Sequence, residues 1–553
     1  MKPTVQTFNK RLKMLSSERS SFIPLYRDLS DYHLSHRGRF LVEDNNKGHR
    51  RDTKQINNAS RLASRTLASG MMAGITSPAR PWFRLGTSDP GLKEQADVAQ
   101  YLHRVQQIMY EVFAQSNTYN VLHTVYSELG VFGTAPMGVF EDFDSVIRCR
   151  PYTVGSYMLG MNGMSVVDTF YREYEYTVGQ TVKEFGIENC STHVEDQWNK
   201  GNTEAAVKIV HLIEPNDDRD HISPMAKDKK YRSVYYEVGS STLKSNQFLR
   251  QSGFDTFPIL APRWEVTGED IYATDCPGMT GLGDTKTLQL GERRLYQALD
   301  RVVDPPLQGP AALIRKAKNL RAGDKIATTD QTGLRSIYDD RPDLNSIEGI
   351  NNRVERRISR AFYEDLFLML ANSDRKQITA REVAEKHEEK LLMLGPVLER
   401  LHTELLDPLI DRTFDILQAN GVLPAPPEAL QNSELKVEYV SVLAQAQRMV
   451  AVGAIDQLTA FAGNMAAVWP NARHKINEAQ AIDEYAEALG VNPSVVRSDD
   501  EVEQIIAAEQ QAAAQQAAME QGQQMADTAR TVSDVDMTEG GTIDTLMQGA
   551  GAA

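Results

Sequence analysis

The stretch HEEKL at residues 387–391 sets a histidine beside two glutamates, all but the last position of the pattern by which a helix presents zinc to a peptide bond. In that chemistry two imidazoles at i and i+4 share one helix face and hold the metal, while the adjacent glutamate acts as general base. Position 391 is Leu391, on an apolar stripe with Leu394 and Leu398, so the second ligand is missing. The next histidine, His402, is fifteen residues on, and no motif brings a carboxylate-bearing helix beside it. His387 therefore reads as a polar residue on a solvated helix face.

Other reactive patterns fail in the same way. GxxxxGK[ST] is absent, so nothing cradles a nucleotide triphosphate, and there is no GxSxG elbow for a serine nucleophile. The pairs Asp339-Asp340 and Asp499-Asp500 lie in turn-like text, where carboxylates cap helices more often than they hold magnesium. The acidic residues from Asp483 to Glu509 read as a wet helical surface. Cys149, Cys190 and Cys276 have neither pairing nor metal spacing, which points to a reducing compartment. No catalytic residue, metal or cofactor is expected. What remains is cationic: Arg315, Lys316, Lys318, Arg321 and Lys325 in one cluster, and Arg353, Arg356, Arg357 and Arg360 in another. The second is interleaved with Glu355 and Glu364, leaving ion pairing between subunits and nucleic-acid contact both open.

The elements that carry these residues follow from periodicity. Residues 5–35 read as a helix with Phe8, Leu12, Leu15 and Phe22, then Pro24 and a second segment with Leu25, Leu29 and Tyr32. A polar, mostly basic loop starts at Arg37. The segment ASRLASRTLASGMMAGITSP is a small-residue helix ending at Gly70 or Gly74, and helices follow over about 92–117 and 119–130. After Gly133 the β-branched and aromatic runs MGVFED, VIRCRP, SYMLG, SVVDTFYREYEYT, KIVHLIEP, YRSVYYEV and TFPILAPRWEV predict strands. In SVVDTFYREYEYT the alternation is imperfect, as in a curved or two-sided sheet.

From Gly283 the pattern is helical again, with Leu288, Leu295, Leu299 and Val302 as a stripe that Pro305 and Pro306 stop. A Gly- and Lys/Arg-rich segment follows. Then NSIEGINNRVERRISRAFYEDLFLML, with a capping box at Asn345 and Glu348, carries Ile347, Ile350, Val354, Ile358 and Ala361 on one face. Two long helices thus bracket a small domain. After ANSDRKQ a long helix runs to Gly421, bent at Gly395-Pro396 and Pro408.

Composition sets outer limits. At 553 residues the chain exceeds one ordinary core, and 41 % hydrophobic with 24 % charged residues are globular values. The net charge of −15 is uneven: residues 1–80 hold fifteen Lys or Arg against six acids, while from Asp500 onward ten acids face only Arg530. So acidic a chain is poorly suited to gripping duplex DNA, although it can handle DNA without gripping it. No apolar run is long enough for a signal peptide or a membrane span, so no membrane partner is expected.

Several long blocks resemble the head-to-tail connector, or portal, proteins of short-tailed bacteriophages: GITSPARPWFRL, LGVFGTAPM, PRWEVTGEDIYATDCPGMTGLGDTKTLQ and ITAREVAEKHEEKLLMLGPVLERLHTELLDPLIDRTFDIL, within residues 5–430. The resemblance implies an α+β, multidomain portal fold of wing, stem, clip and crown that assembles as a ring. It implies an N-terminal α/β wing at 1–282, stem helices at 283–304 and 345–370, the clip at 305–344 and a tunnel loop at 371–378. A long wing helix and its return would occupy 379–440, a helical crown 441–525 and an acidic disordered tail 526–553. The family's subunits form a dodecamer at one capsid vertex, a channel through which double-stranded DNA is packaged and ejected. The partners implied are the major capsid and scaffolding proteins, the terminase large subunit, tail adaptor proteins and internal core proteins. The setting is the virion at the capsid–tail junction, assembled in the host cytoplasm, and the protein is not an enzyme. Arg375, Lys376, Arg353 and Arg357 become candidates to face DNA. Arg315, Lys316, Lys318, Arg321 and Lys325 become candidates to dock the motor or tail. Another ring-forming tail adaptor is the competing reading, and a metalloprotease or nuclease is a third.

Overall fold

The computed structural model describes residues 4–40, 54–87, 95–238, 248–303, 343–367, 394–430, 455–465 and 499–535, with short pieces at 92, 307–308, 335–336, 435–439, 469, 477, 480–482 and 485–486. Two units emerge. The first comprises 1–86, 104–426 and 434–446, and the second 87–103, 427–433 and 447–553.

The first unit begins with α1 (Val5–Ser20) and α2 (Ile23–Tyr32), separated where Pro24 occupies the first turn of α2, a position at which its missing N–H costs nothing. Thr4 caps α1 by accepting from the Thr7 amide. Next come α3 (Ala59–Ile75), β1 (Phe83–Thr87), α4 (Ala96–Gln115) and α5 (Thr118–Phe132), the last closed by Gly133 at φ +78°. Of the two ends expected for α3, Gly70 is corrected, because the helix runs through it, and Gly74 lies one residue short of the observed end at Ile75. Gly70 is a contact glycine, since a Cβ there would lie 2.2 Å from the Phe367 ring.

Strands β2 (Met137–Asp142), β3 (Val146–Pro151), β4 (Met158–Met161) and β5 (Val167–Thr177) follow. Short helices α6 (Val178–Phe185) and α7 (Thr192–Asn199) separate them from β6 (Ala206–Pro215), β7 (Tyr231–Glu237), β8 (Arg250–Phe254) and β9 (Ile259–Leu260). Their pairing is antiparallel throughout, as a five-stranded sheet β4-β5-β6-β7-β8 and a three-stranded sheet β3-β2-β9.

The larger sheet is covered on both sides. Phe8 and Leu15 of α1 pack on Met158, Tyr171, Val210, Leu212, Val234 and Tyr236. The opposite face presents Leu159, Phe170 and Ile213 to Ile259, Ala261 and Tyr272, with Phe140 at the margin. Adjacent Phe170 and Tyr171 are both fully buried, pointing to opposite faces, which is why β5 lacks a clean apolar–polar alternation.

Beyond the sheets lie α8 (Pro277–Val303) and α9 (Leu344–Ala361), with the short strands β10 (Leu307–Gln308) and β11 (Arg335–Ser336) paired antiparallel between them in sequence. The cap of α9 differs from expectation. Asp343, not Asn345, accepts from the Asn345 and Ser346 amides, so the helix begins one residue early; the Ser346 hydroxyl, which also donates to it, and then these amides hold the Asp343 carboxyl below its ordinary pKa. The helix expected over 345–370 is also interrupted. It stops at Ala361, Tyr363 takes φ +54°, and a further turn at 364–367 seats Phe367 on Gly70.

Downstream, α10 (Gly395–Leu401) passes through a π-turn at His402–Leu406 into α11 (Asp407–Ala419). The Asp407 amide donates to His402 carbonyl oxygen, five residues back, immediately before Pro408, which has no amide to offer. Gly421 at φ +64° ends the segment, with the Val422 amide returning to Leu417 oxygen. Strand β12 (Leu435–Tyr439) pairs with β1.

In the second unit the long helix α12 (Asp499–Val535) continues past 526, where a disordered tail was expected. Up to Ala526 the text is rich in Ala, Gln, Glu and Met, all good helix formers, broken by Gly522; the residues that follow, with Asp527, Thr528, Thr531, Val532, Ser533 and Asp534, extend the helix against their own propensity. Cys149, Cys190 and Cys276 are all buried, and none of them forms a disulfide. No described helix is long and apolar enough to cross a membrane.

Candidate functional site: the paired helices

Helices α8 and α9 are antiparallel. Gly281 faces Ala361 and Phe362, Asp284 meets Arg357, and Glu292 meets Asn351, so positions ascend on one helix as they descend on the other. Their near end is sunk in the first unit. Leu288 and Ile358 are fully buried, Val354 nearly so, and each such side chain removed from water contributes roughly 1.5–3 kcal/mol. Glycines permit this closeness: a Cβ at Gly278 would sit 2.4 Å from the Val131 carbonyl oxygen, and one at Gly291 2.2 Å from Asn351 Oδ1.

A buried polar network fixes the pair to the segment preceding α3. Gln289 Oε1 accepts from the Ile56 amide (2.6 Å) and the Asn57 amide (2.9 Å), while its Nε2 donates to the Asn57 carbonyl (2.9 Å). Asn57 Nδ2 donates to Glu355 on α9 at 2.6 Å, and Asn351 Nδ2 donates to Glu292 on α8 at 3.1 Å. One amide side chain, 4 % exposed, thus satisfies three backbone groups of a loop over 230 residues away. Periodicity alone had no signal for this, because Gln289 sits beside Leu288 as an apparent interruption of the stripe.

At the base, His33 is buried against the Phe362 ring, centroids 5.5 Å apart, where α9 ends. Burial drives its imidazole down to about 4, against a pull from the Gly278 backbone. A cleft of about 210 Å³ lies alongside, lined by Trp264, Glu265, Asp275, Thr280, Arg360 and Tyr363. Burial raises the Tyr363 hydroxyl, and the carboxylates of Asp275 and Glu265 add to the effect.

The far end is different. Tyr296 is 55 % exposed and Val303 74 %, with Leu299, Val302 and Ile350 also bare. The stripe expected along α8 is therefore covered at Leu288 and open from Tyr296 onward.

Of the basic candidates, Arg353 is exposed on α9, and Arg357 reaches Asp284 at 2.8 Å while its side chain stays 59 % exposed. Arg315, Lys316, Lys318, Arg321, Lys325, Arg375, Lys376 and His387 lie outside the described residues. Among the described residues no cluster of three His, Cys, Asp or Glu could hold a metal ion.

An α+β body carrying two antiparallel helices, buried at their base and apolar and exposed at their far end, is a structural and not a ligand-binding arrangement among the described residues. The chain belongs to the bacteriophage head to tail connecting proteins, whose family model matches residues 5–496. It is 42 % identical over 546 residues to the portal protein of Salmonella phage epsilon15, covering 98 % of each chain. It is also 42 % identical over 535 residues to a probable portal protein of Bordetella phage BPP-1, covering 96 % of this chain and 95 % of that one. Among solved structures, a chain from the neck of an empty gene transfer agent particle covers 83 % of this chain and 97 % of its own length, at 12 % identity and a TM-score of 0.36. That superposition is loose, and the family assignment rests on the sequence matches. Membership places the chain among the connecting components of a phage particle and not among enzymes.

Proposed function

We propose that twelve copies form the portal ring at one capsid vertex, a channel through which double-stranded DNA is packaged and later ejected. The observation that carries this reading is the helix pair, buried at its base yet bare at Tyr296, Leu299, Val302, Val303 and Ile350. One chain leaves this surface in water, and neighbours arranged around a closed ring would cover it.

In this reading α8 and α9 are the stem and 305–344 is the clip. Arg315, Lys316, Lys318, Arg321 and Lys325 would dock the terminase large subunit during packaging and tail adaptors afterwards. Arg375 and Lys376 would approach DNA at the tunnel loop. Arg353 would face the channel, and Arg357 would divide its charge between Asp284 and the duplex. Twelvefold repetition of a −15 chain favours sliding over sticking, since DNA affinity comes from cations that neutralise phosphates. Capsid, scaffolding and internal core proteins would meet the wing and crown.

End-view averages of the purified chain in negative-stain electron microscopy test the reading. Rings of about twelve subunits around an open channel are the expected result. Monomers or small dimers at assembly concentrations would remove its basis.

A further inference from the structure

The first unit carries two exposed features of opposite charge on opposite sides of its five-stranded sheet. The β2–β3 hairpin ends in Glu141-Asp142-Phe143-Asp144-Ser145. Phe143 is fully exposed at the tip, beside exposed Glu141 and Asp144. The tip is a defined shape: Ser145 Oγ donates to Asp142 at 2.7 Å and Val146 takes φ +65°. Asp415 and Asp255 lie with Glu141 around the buried Arg412, and Asp255 is itself paired with Lys229 at 2.8 Å. The cations on β3 are Arg148, opposite Phe140, and Arg150, opposite Gly138, both back from the tip.

On the far side of the sheet, α1 turns Lys10, Lys13, Met14 and Ser17 outward on one face, while Phe8 and Leu15 face the sheet. Met14 is 72 % exposed. Arg11 beside it pairs with Glu214 at 3.1 Å, but Lys10 and Lys13 have no ion-pair partner among the described residues. That the two features are on opposite sides follows from the packing. Helix α1 covers the face of Tyr171 and Leu212, and the sheet bearing the hairpin covers the face of Phe170 and Ile213.

We propose that the acidic Phe143 hairpin of one copy docks on the Lys10–Lys13–Met14 face of α1 in the next. This rests on the ring reading above and specifies one of its contacts. A cyclic ring needs a heterologous interface, with a projecting element on one side of the subunit and its complement on the other. Phe143 meets the polarizable Met14 thioether, a favourable sulfur–aromatic pair. Lys10 and Lys13 meet Glu141 and Asp144, which sets the register and suppresses the reversed packing of like on like.

The test uses the full chain, whose three native thiols are buried, so that introduced surface cysteines react alone. Variants M14C and F143C change exposed side chains and leave the core intact. Mixed and treated with a short bis-maleimide, they are expected to give covalent dimers that neither variant gives by itself, and the double variant a ladder of multimers. K13E and D144K should each raise the concentration for half-assembly by roughly fivefold, and the two together should restore it. Rings by electron microscopy without the mixed cross-link, or without recovery in the charge swap, overturn the docking while leaving the ring reading intact. Cross-linking of F143C to a different virion protein overturns it as well. Absence of any assembly removes both.

Discussion

Arg263 and Glu404, 141 residues apart in sequence, are joined by three hydrogen bonds from the guanidinium and a fourth from the Arg263 amide. Nε reaches Oε1 at 3.1 Å and Oε2 at 3.3 Å, Nη2 reaches Oε1 at 2.5 Å, and the backbone N–H reaches Oε2 at 2.8 Å, while Nη1 and Nη2 also bond the Asp270 and Ser165 carbonyls at 3.1 Å each. The pair ties the chain leaving β9 to the π-turn. Arg263 is 7 % exposed, so its charge is satisfied almost entirely by protein.

Removing the carboxylate strands that charge. Glu404→Ala is expected to cost about 3 kcal/mol, and Arg263→Lys nearly as much, because an ammonium cannot span both oxygens. Chemical denaturation of both variants beside the parent checks this, and a change below about 0.5 kcal/mol in either would show the pair to be ornamental.

Gln289 provides a sharper structural readout. Gln289→Ala leaves the Ile56 and Asn57 amides without their acceptor at a buried site, at a cost of about 2 kcal/mol. Hydrogen exchange at those two amides should accelerate specifically. Unchanged protection there would mean that the segment before α3 is held by something else.

Gly278 and Gly291 separate two kinds of close approach. A methyl at Gly278 meets Val131 backbone, which cannot step aside, whereas one at Gly291 meets the end of the Asn351 side chain, which can rotate. Gly278→Ala should therefore cost about 3 kcal/mol and Gly291→Ala nearer 1. Equal thermal shifts in the two variants would contradict this ordering.

Two buried titratable groups give opposite pH slopes. His33 is held down at about 4 by burial, so the unfolded chain takes its proton first. Its contribution is present above pH 6.5 and is lost as pH falls from there to about 4. Glu128 is pushed up to about 7 by burial, against Arg37 3.7 Å away, the Thr153 hydroxyl and the Val154 amide. Its contribution is present below pH 4.5 and is lost as pH rises through 7. His33→Leu should flatten the acid side of a stability–pH curve and Glu128→Gln the neutral side. Each removes up to about 3 kcal/mol of pH dependence. Parallel curves for parent and variants would contradict both assignments.

Much of this architecture is legible in the chain. The β-branched runs mark β2 to β7, and Pro24, Pro396 and Gly421 punctuate helices where steric rules place them. Strand β8 is not, because Arg250-Gln251-Ser252-Gly253-Phe254 is polar and pairs with β7 through its backbone. Helix α6 is short and hidden among strands, although Thr177 and Gln180 form a capping box at its start. The break at Tyr363 involves neither Gly nor Pro. It is imposed by tertiary contacts, the Tyr363 ring on Trp264 and Phe367 on Gly70. The helix pair was readable as two amphipathic segments, but the split between its covered base and bare far end depends on Gln289, Asn57 and Glu355, which only folding brings together.

The π-turn at His402–Leu406 has a consequence for how this chain can tolerate change in length. Leu401, Leu405, Leu409, Thr413 and Leu417 are all buried at intervals of four. A regular α-helix advances about 100° per residue, so such a row would wind away by about 40° at each step. The wider turn takes up part of that drift. Loss of one residue there would regularise the backbone hydrogen bonds and yet swing α11 about its axis, carrying Arg412 away from the Val139 and Thr256 oxygens it holds at 2.7 and 3.1 Å. In this helix the residue count itself is therefore fixed by the packing on both sides of the turn.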